Sequence, residues 1–87
     1  METRIAQIGI VVEDACSVEK LNAILHDYRE YIVGRMGIPY PKRNISVISI
    51  VLDAPNDAIS ALSGKLGMLK NVSIKTVYSK VPAKAEE

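Results

Sequence analysis

Apolar and polar residues alternate with period two from Arg4 to Val12, RIAQIGIVV, which predicts a first β-strand. Ala6, Ile8, Ile10 and Val12 share one face, apolar throughout, and that face is expected to lie under helices. Ile5, Gln7, Gly9 and Val11 share the other, where Gly9 leaves room for a close approach. Glu13-Asp14-Ala15 interrupts the alternation and starts a turn. The period then becomes helical: Val18, Leu21, Ile24, Leu25 and Tyr28 form one stripe, with Lys20, Asn22, Asp27, Arg29 and Glu30 on the outer surface. Ser17 reads as the N-cap of this helix and Glu19 as an acid in its first turn, with the end near Glu30.

A second strand-forming run, Ile45 to Asp53, is largely apolar on both faces, as suits a central strand covered on two sides. Ala54-Pro55-Asn56-Asp57 opens a second helix, with Pro55 tolerated in the first turn. Ile59, Leu62 and Leu66 carry its apolar stripe, and Gly67 reads as its C-terminal cap. After a short connection over Met68 to Asn71, Val72 to Ser79 closes the pattern as a β-branched strand. Between the first helix and the central strand lies Tyr31 to Tyr40, YIVGRMGIPY. It reads as an edge strand with glycines at a bulge or at a close subunit approach, cut short by Pro39.

With that stretch as a strand, the order is βαββαβ, and each half of the chain repeats strand, helix, strand. Right-handed crossovers then place both helices on one face of a four-stranded antiparallel sheet, an α+β, ferredoxin-like sandwich with the first and third strands central. The opposite face would be open while carrying Ile5, Val11, Ile45, Val47 and Val51. Monomers rarely expose so large an apolar patch, so a homo-oligomer, dimer or tetramer, is expected to bury this face or an edge.

Composition narrows the function classes. At 87 residues the chain makes one domain, expected over 1–81, and the small and charged residues 82–87 read as a flexible tail. The hydrophobic fraction of 48% and charged fraction of 24% are ordinary for a globular protein, and the absence of Phe and Trp leaves the core to Ile, Val, Leu, Ala, Met and Tyr. A net charge of +1 with interspersed signs lacks the basic stripe of nucleic-acid binders, and the Lys42-Arg43 pair reads as a solvated turn. No apolar run approaches membrane-spanning length, and no basic start with a long apolar run suggests a signal peptide. One cysteine, Cys16, allows no internal disulfide and no thiolate metal cluster, and a reducing cytoplasm is the natural setting.

Few residues could carry chemistry. His26, the single histidine, is the weak candidate for a metal ligand, since a site needs several donors; an ordinary helix-surface histidine is the alternative. Cys16, placed before the helix cap, could have its thiol activated by the helix dipole, or could be a small residue in a turn. Asp14, Asp53 and Asp57 fall at strand-to-helix turns, read as one end of the sheet, and either bind a cation or cap helices. Ser63-Gly64-Lys65-Leu66-Gly67 lies inside and after a helix, where a phosphate-binding loop does not form; Gly64 reads instead as a close helix-packing position. Arg35 is the best candidate for holding an anion or carboxylate through its forked donors, with Gly34 and Gly37 permitting close approach and Met36 beside it.

The segments YIVGRMGIPY, ISVISIVLDAP, ISALSGKLGML and VSIKTVYSK, taken in order, resemble the family of iron-only hydrogenase system regulators over nearly the whole chain. The resemblance implies an ACT-like fold, similar to the C-terminal domain of the nickel-responsive regulator, and a regulatory role in anaerobic bacteria that make iron-only hydrogenase. The nickel regulator's DNA-binding segment and its histidine-rich metal site have no counterpart in these residues, so neither direct DNA binding nor nickel sensing is expected. ACT-like domains bind amino acids or similar effectors between subunits near the first strand-to-helix turn, which is Glu13 to Ser17 here, without the usual glycines.

The expectation is therefore a non-enzymatic, oligomeric sensor or regulatory module with no cofactor. A small effector would be held between subunits by the turn over Asp14, Cys16 and Ser17 and by the Gly34, Arg35, Met36, Gly37 stretch. The alternative is a protein-interaction module that docks on a DNA-binding regulator or a maturation enzyme. An enzyme is the least supported reading, because no nucleophile and base are paired.

Overall fold

The computed structural model describes residues 2–80, and the tail expected over 82–87 lies outside the described residues. Strand β1 (Arg4–Val12) buries Ala6, Ile8, Ile10 and Val12, the face the alternation selected. Helix α1 (Ala15–Asp27) follows, then a 3-10 turn over Arg29–Tyr31 and strand β2 (Ile32–Tyr40). A 3-10 turn over Pro41–Arg43 leads into β3 (Ile45–Ala54), helix α2 (Asn56–Gly67) and β4 (Val72–Tyr78). The four strands form one antiparallel sheet in the order β2-β3-β1-β4, so β1 and β3 are central as expected.

One core joins the sheet to both helices. Ile8, Ile10, Ile50 and Leu52 from the central strands meet Leu21 and Leu25 of α1 and Ile59, Leu62 and Leu66 of α2, all buried. Both helices therefore cover the same sheet face. The strand residues between these, in register across all four strands, are left on the open side.

Several boundaries differ from expectation. Asp14, not Ser17, caps α1: its backbone is extended and its Oδ1 accepts from the Cys16 N–H at 2.9 Å. An acid two residues before a helical N–H outcompetes a serine that the helix stripe draws inward. Ser17 is consequently inside the helix and buried, Cys16 lies in the first turn rather than before it, and Glu19 falls outside the first turn. The helix stops at Asp27, because the chain tightens into the 3-10 turn that aims β2 back along the sheet.

Pro55 stands at the cap of α2 rather than in its first turn, and Gly67 is the last helical residue rather than its cap. The left-handed backbone that turns the chain toward β4 belongs to Asn71, at φ 58°. A Cβ at Gly64 would meet nothing within 4 Å, so no close helix packing depends on it. Pro39 does not end β2, which continues to Tyr40 opposite Ile45. Proline is tolerated there because an edge strand has a ladder on one side only. A bulge is present, but at Val33 rather than at a glycine: the register shifts between Ile32 and Gly34 and leaves Val33 without a partner.

Candidate functional site

Three concave regions frame the sequence candidates. The first lies where the β1–α1 turn faces the β2–β3 hairpin, a groove of about 550 Å³ lined by Asp14, Ala15, Val18, Pro39, Tyr40 and Ser46 among others. Asp14 enters it because the cap forces its backbone out of the helix while one carboxylate oxygen is engaged by Cys16 N–H. The groove is thus lined by the acidic Asp14 together with Tyr40 and the apolar Ala15, Val18 and Pro39. It suits a donor-bearing small molecule more than an anion.

The second groove, about 320 Å³, lies between α1 and β2 and is lined by Asn22, Leu25, His26, Arg29, Ile32 and Arg35. Arg35 stands opposite Ile50 in the register, on the helix-bearing side of the sheet, so its side chain reaches α1. Its Nη2 donates to Asn22 Oδ1 at 2.6 Å, and Arg29 Nη1 donates to the His26 carbonyl at 2.9 Å.

The third region is the open sheet face. Register places Met36, Ile38 and Tyr40 beside Ser49, Val47 and Ile45, and these beside Gly9, Val11 and their β4 partners Lys75 and Ser73. Met36 is 64% exposed, Ile38 56%, Val77 62% and Val47 41%, so this surface is apolar and solvent-facing. At its centre Gly9 opens a shallow hollow of about 360 Å³ bordered by Val11, Val47 and Lys75. A Cβ at Gly9 would touch nothing within 4 Å.

The sequence candidates therefore divide. Asp14 belongs to the first groove and Arg35 to the second. Gly34 and Met36 belong to the open face, whereas Gly37 stands opposite buried Ile48 on the side of Arg35. Ser17 is only 3% exposed and its Oγ donates to the Lys70 carbonyl at 2.7 Å, so it braces the fold. Cys16 is an exposed free thiol. Asp14 and the pair Asp53 and Asp57 are not at one end: β1 and β3 run antiparallel, with Arg4 opposite Ala54, so their C-terminal ends point apart. Among the described residues no group of three or more His, Cys, Asp or Glu could hold a metal ion.

Asn22 and Arg29 were not singled out by the sequence reading. Their signal was the spacing of Asn22 and His26 on one flank of α1, with Arg29 just past its end, which gains meaning once Arg35 crosses from β2. No helix among the described residues is long and apolar enough to cross a membrane.

Residues 4–76 match the sequence profile of the TM1266-like family, described as "Iron-only hydrogenase system regulator, putative". The structure of the uncharacterized protein TM1266 from Thermotoga maritima superposes with a TM-score of 0.87 at 40% identity, covering 91% of this chain and 100% of that one. More distant structures share the fold alone. CPII, a nitrogen regulatory PII-like protein from Thiomonas intermedia K12, matches in its apo form with a TM-score of 0.58 at 12% identity, over 97% of this chain and 98% of that one. A formyltetrahydrofolate deformylase from Pseudomonas putida KT2440 matches with a TM-score of 0.62 at 9% identity, over 84% of this chain and 28% of that one. Among curated protein sequences there is no significant match.

Proposed function

The chain belongs to the TM1266-like family of iron-only hydrogenase system regulators, and we propose that it acts as a non-enzymatic, oligomeric, ACT-like regulatory module that binds a small effector at or beside subunit boundaries. The observation that carries this reading is the open sheet face. Ile5, Met36, Ile38, Val47 and Val77 are exposed together on a surface that neither helix covers. Exposed apolar area of this extent favours burial against a matching surface.

The occupant proposed is a second copy of the chain. Among the described strand residues the face carries the acid Asp53 beside Ile5 and the base Lys75 beside Gly9, on different strands. A twofold contact sets each such residue against the other's surroundings, so opposite charges can meet around an apolar centre. Effector contacts fall to the turn over Asp14 and Cys16 and to the edge strand with Gly34, Arg35, Met36 and Gly37. CPII, which shares only the fold, is also solved bound to ADP, AMP and bicarbonate.

Sedimentation velocity of the purified full chain, with calorimetry against amino acids and nucleotides, tests the reading. A discrete oligomer that binds one of these ligands supports it. A chain that stays monomeric at high concentration overturns it in favour of a module that docks on a different protein.

A further inference from the structure

We propose that the groove between α1 and β2 is an oxyanion-binding site, the place where a phosphate or carboxylate group of a small effector is held. It deepens the regulatory reading by naming the chemistry of the effector, and rests on that reading only for its biological use.

Asn22 and His26 lie four residues apart on one flank of α1, and Arg29, which opens the 3-10 turn after the helix, lines the same groove. Arg35 comes from the bulged edge strand and crosses to the same flank, bonding Asn22 Oδ1. Leu25 and Ile32 line the floor of the groove between these exposed polar groups. Two arginines and a histidine are thus brought around one concavity.

No described carboxylate neutralises them. Arg29 bonds a backbone carbonyl and Arg35 a neutral amide oxygen, and among the described residues neither forms an ion pair. Asp27 and Glu30, the nearest acids in sequence, do not line the groove. A guanidinium carries five donors, so each arginine keeps most of its fork for a ligand, and the Asn22 amide can donate as well. A planar fork against two oxygens of one group is the geometry in which arginine recognises phosphate and carboxylate. Arg35 used in this way also explains its bond to Asn22, which holds the long side chain over the groove before a ligand arrives.

The test is an NMR titration of the ¹⁵N-labelled full chain with inorganic phosphate and, separately, acetate, at constant ionic strength. Saturable shifts are expected at the Asn22 amide, the His26 ring and the Arg29 and Arg35 side-chain N–H signals. The expected Kd for at least one anion is on the order of 1 mM, as suits a few charge-assisted bonds at an open site, and the tighter anion identifies the class. Arg35→Ala and Arg29→Ala should each weaken binding about tenfold or more. Arg35→Lys, which keeps the charge without the fork, should fall between. The K42A/R43A double variant, which removes charge elsewhere, should bind like the unchanged chain.

Shifts that stay linear with both anions, or an equal loss in the K42A/R43A variant, overturn the proposal as mere screening. Sedimentation in the same buffers separates the two readings. An oligomer without saturable shifts overturns the anion site alone, and a monomer with them supports the site while removing the oligomeric reading.

Discussion

The hydroxyl of Ser17 donates to the carbonyl of Lys70 over 2.7 Å, although the two residues are 53 apart in the sequence. Beside it the Glu13 N–H donates to the Asn71 carbonyl at 2.9 Å. Together these bonds fasten the start of α1 to the turn that launches β4, so the edge strand and the first helix are positioned as one unit. At the other end of β1, the Ser79 N–H donates to the Ile5 carbonyl and Arg4 Nη2 donates to the Ser79 carbonyl, which holds β4 down there as well.

Ser17→Ala should therefore cost about 1–2 kcal/mol, because the Lys70 carbonyl loses a bond that water reaches poorly. Urea unfolding measures this as a lower midpoint with an unchanged slope. An unaltered midpoint would show that the bond contributes nothing net.

Asn71 holds a left-handed backbone at φ 58° within this same turn. Asn71→Gly should leave thermal stability nearly unchanged, since glycine adopts that conformation freely. Asn71→Val should lower stability by about 1–2 kcal/mol through the clash that a β-branched residue meets there. Equal melting points for the two variants would rule out backbone strain as the determinant.

Gly9 gives a sharper separation of folding from association. Nothing lies within 4 Å of a Cβ built there, and the residue is in the middle of a central strand. Gly9→Val should hold or raise monomer stability, by up to about 1 kcal/mol, because valine suits a strand better than glycine does. It should at the same time fill the hollow on the open face and weaken self-association. Unfolding and sedimentation on one sample read both effects, and an unchanged sedimentation profile would remove the hollow from the interface.

Val47 sits on the open face between Val11 and Ile38. Val47→Lys should produce a folded monomer with unchanged far-ultraviolet circular dichroism, since a long side chain can extend from this exposed position into solvent. Loss of the fold, rather than of association, would mean that the sheet depends on burying this face.

Much of the fold was legible beforehand because strand and helix periods are local. The alternation in β1 named its buried face correctly, and the two-sided apolarity of Ile45 to Leu52 placed β3 at the centre. The helix start was misread because Asp14 and Ser17 are both good capping residues, and the choice was made by where Ser17 could bond across the fold. The aspartates at the strand-to-helix turns were read as neighbours although antiparallel pairing of β1 with β3 sends those turns to opposite ends.

The sequence by itself determined the order of elements, the apolar faces and, through βαββαβ order with right-handed crossovers, the ferredoxin-like sheet with one side uncovered. Those follow from side-chain periodicity and chirality, which each segment carries alone. Only the tertiary structure decided which polar residues meet. Arg35 and Met36 are adjacent in the chain yet face opposite sides of β2, so Arg35 joins His26 and Arg29 while Met36 joins the open apolar face. The physical reason is the strand period of two, combined with a bulge at Val33 that resets the alternation and decides which side each residue takes.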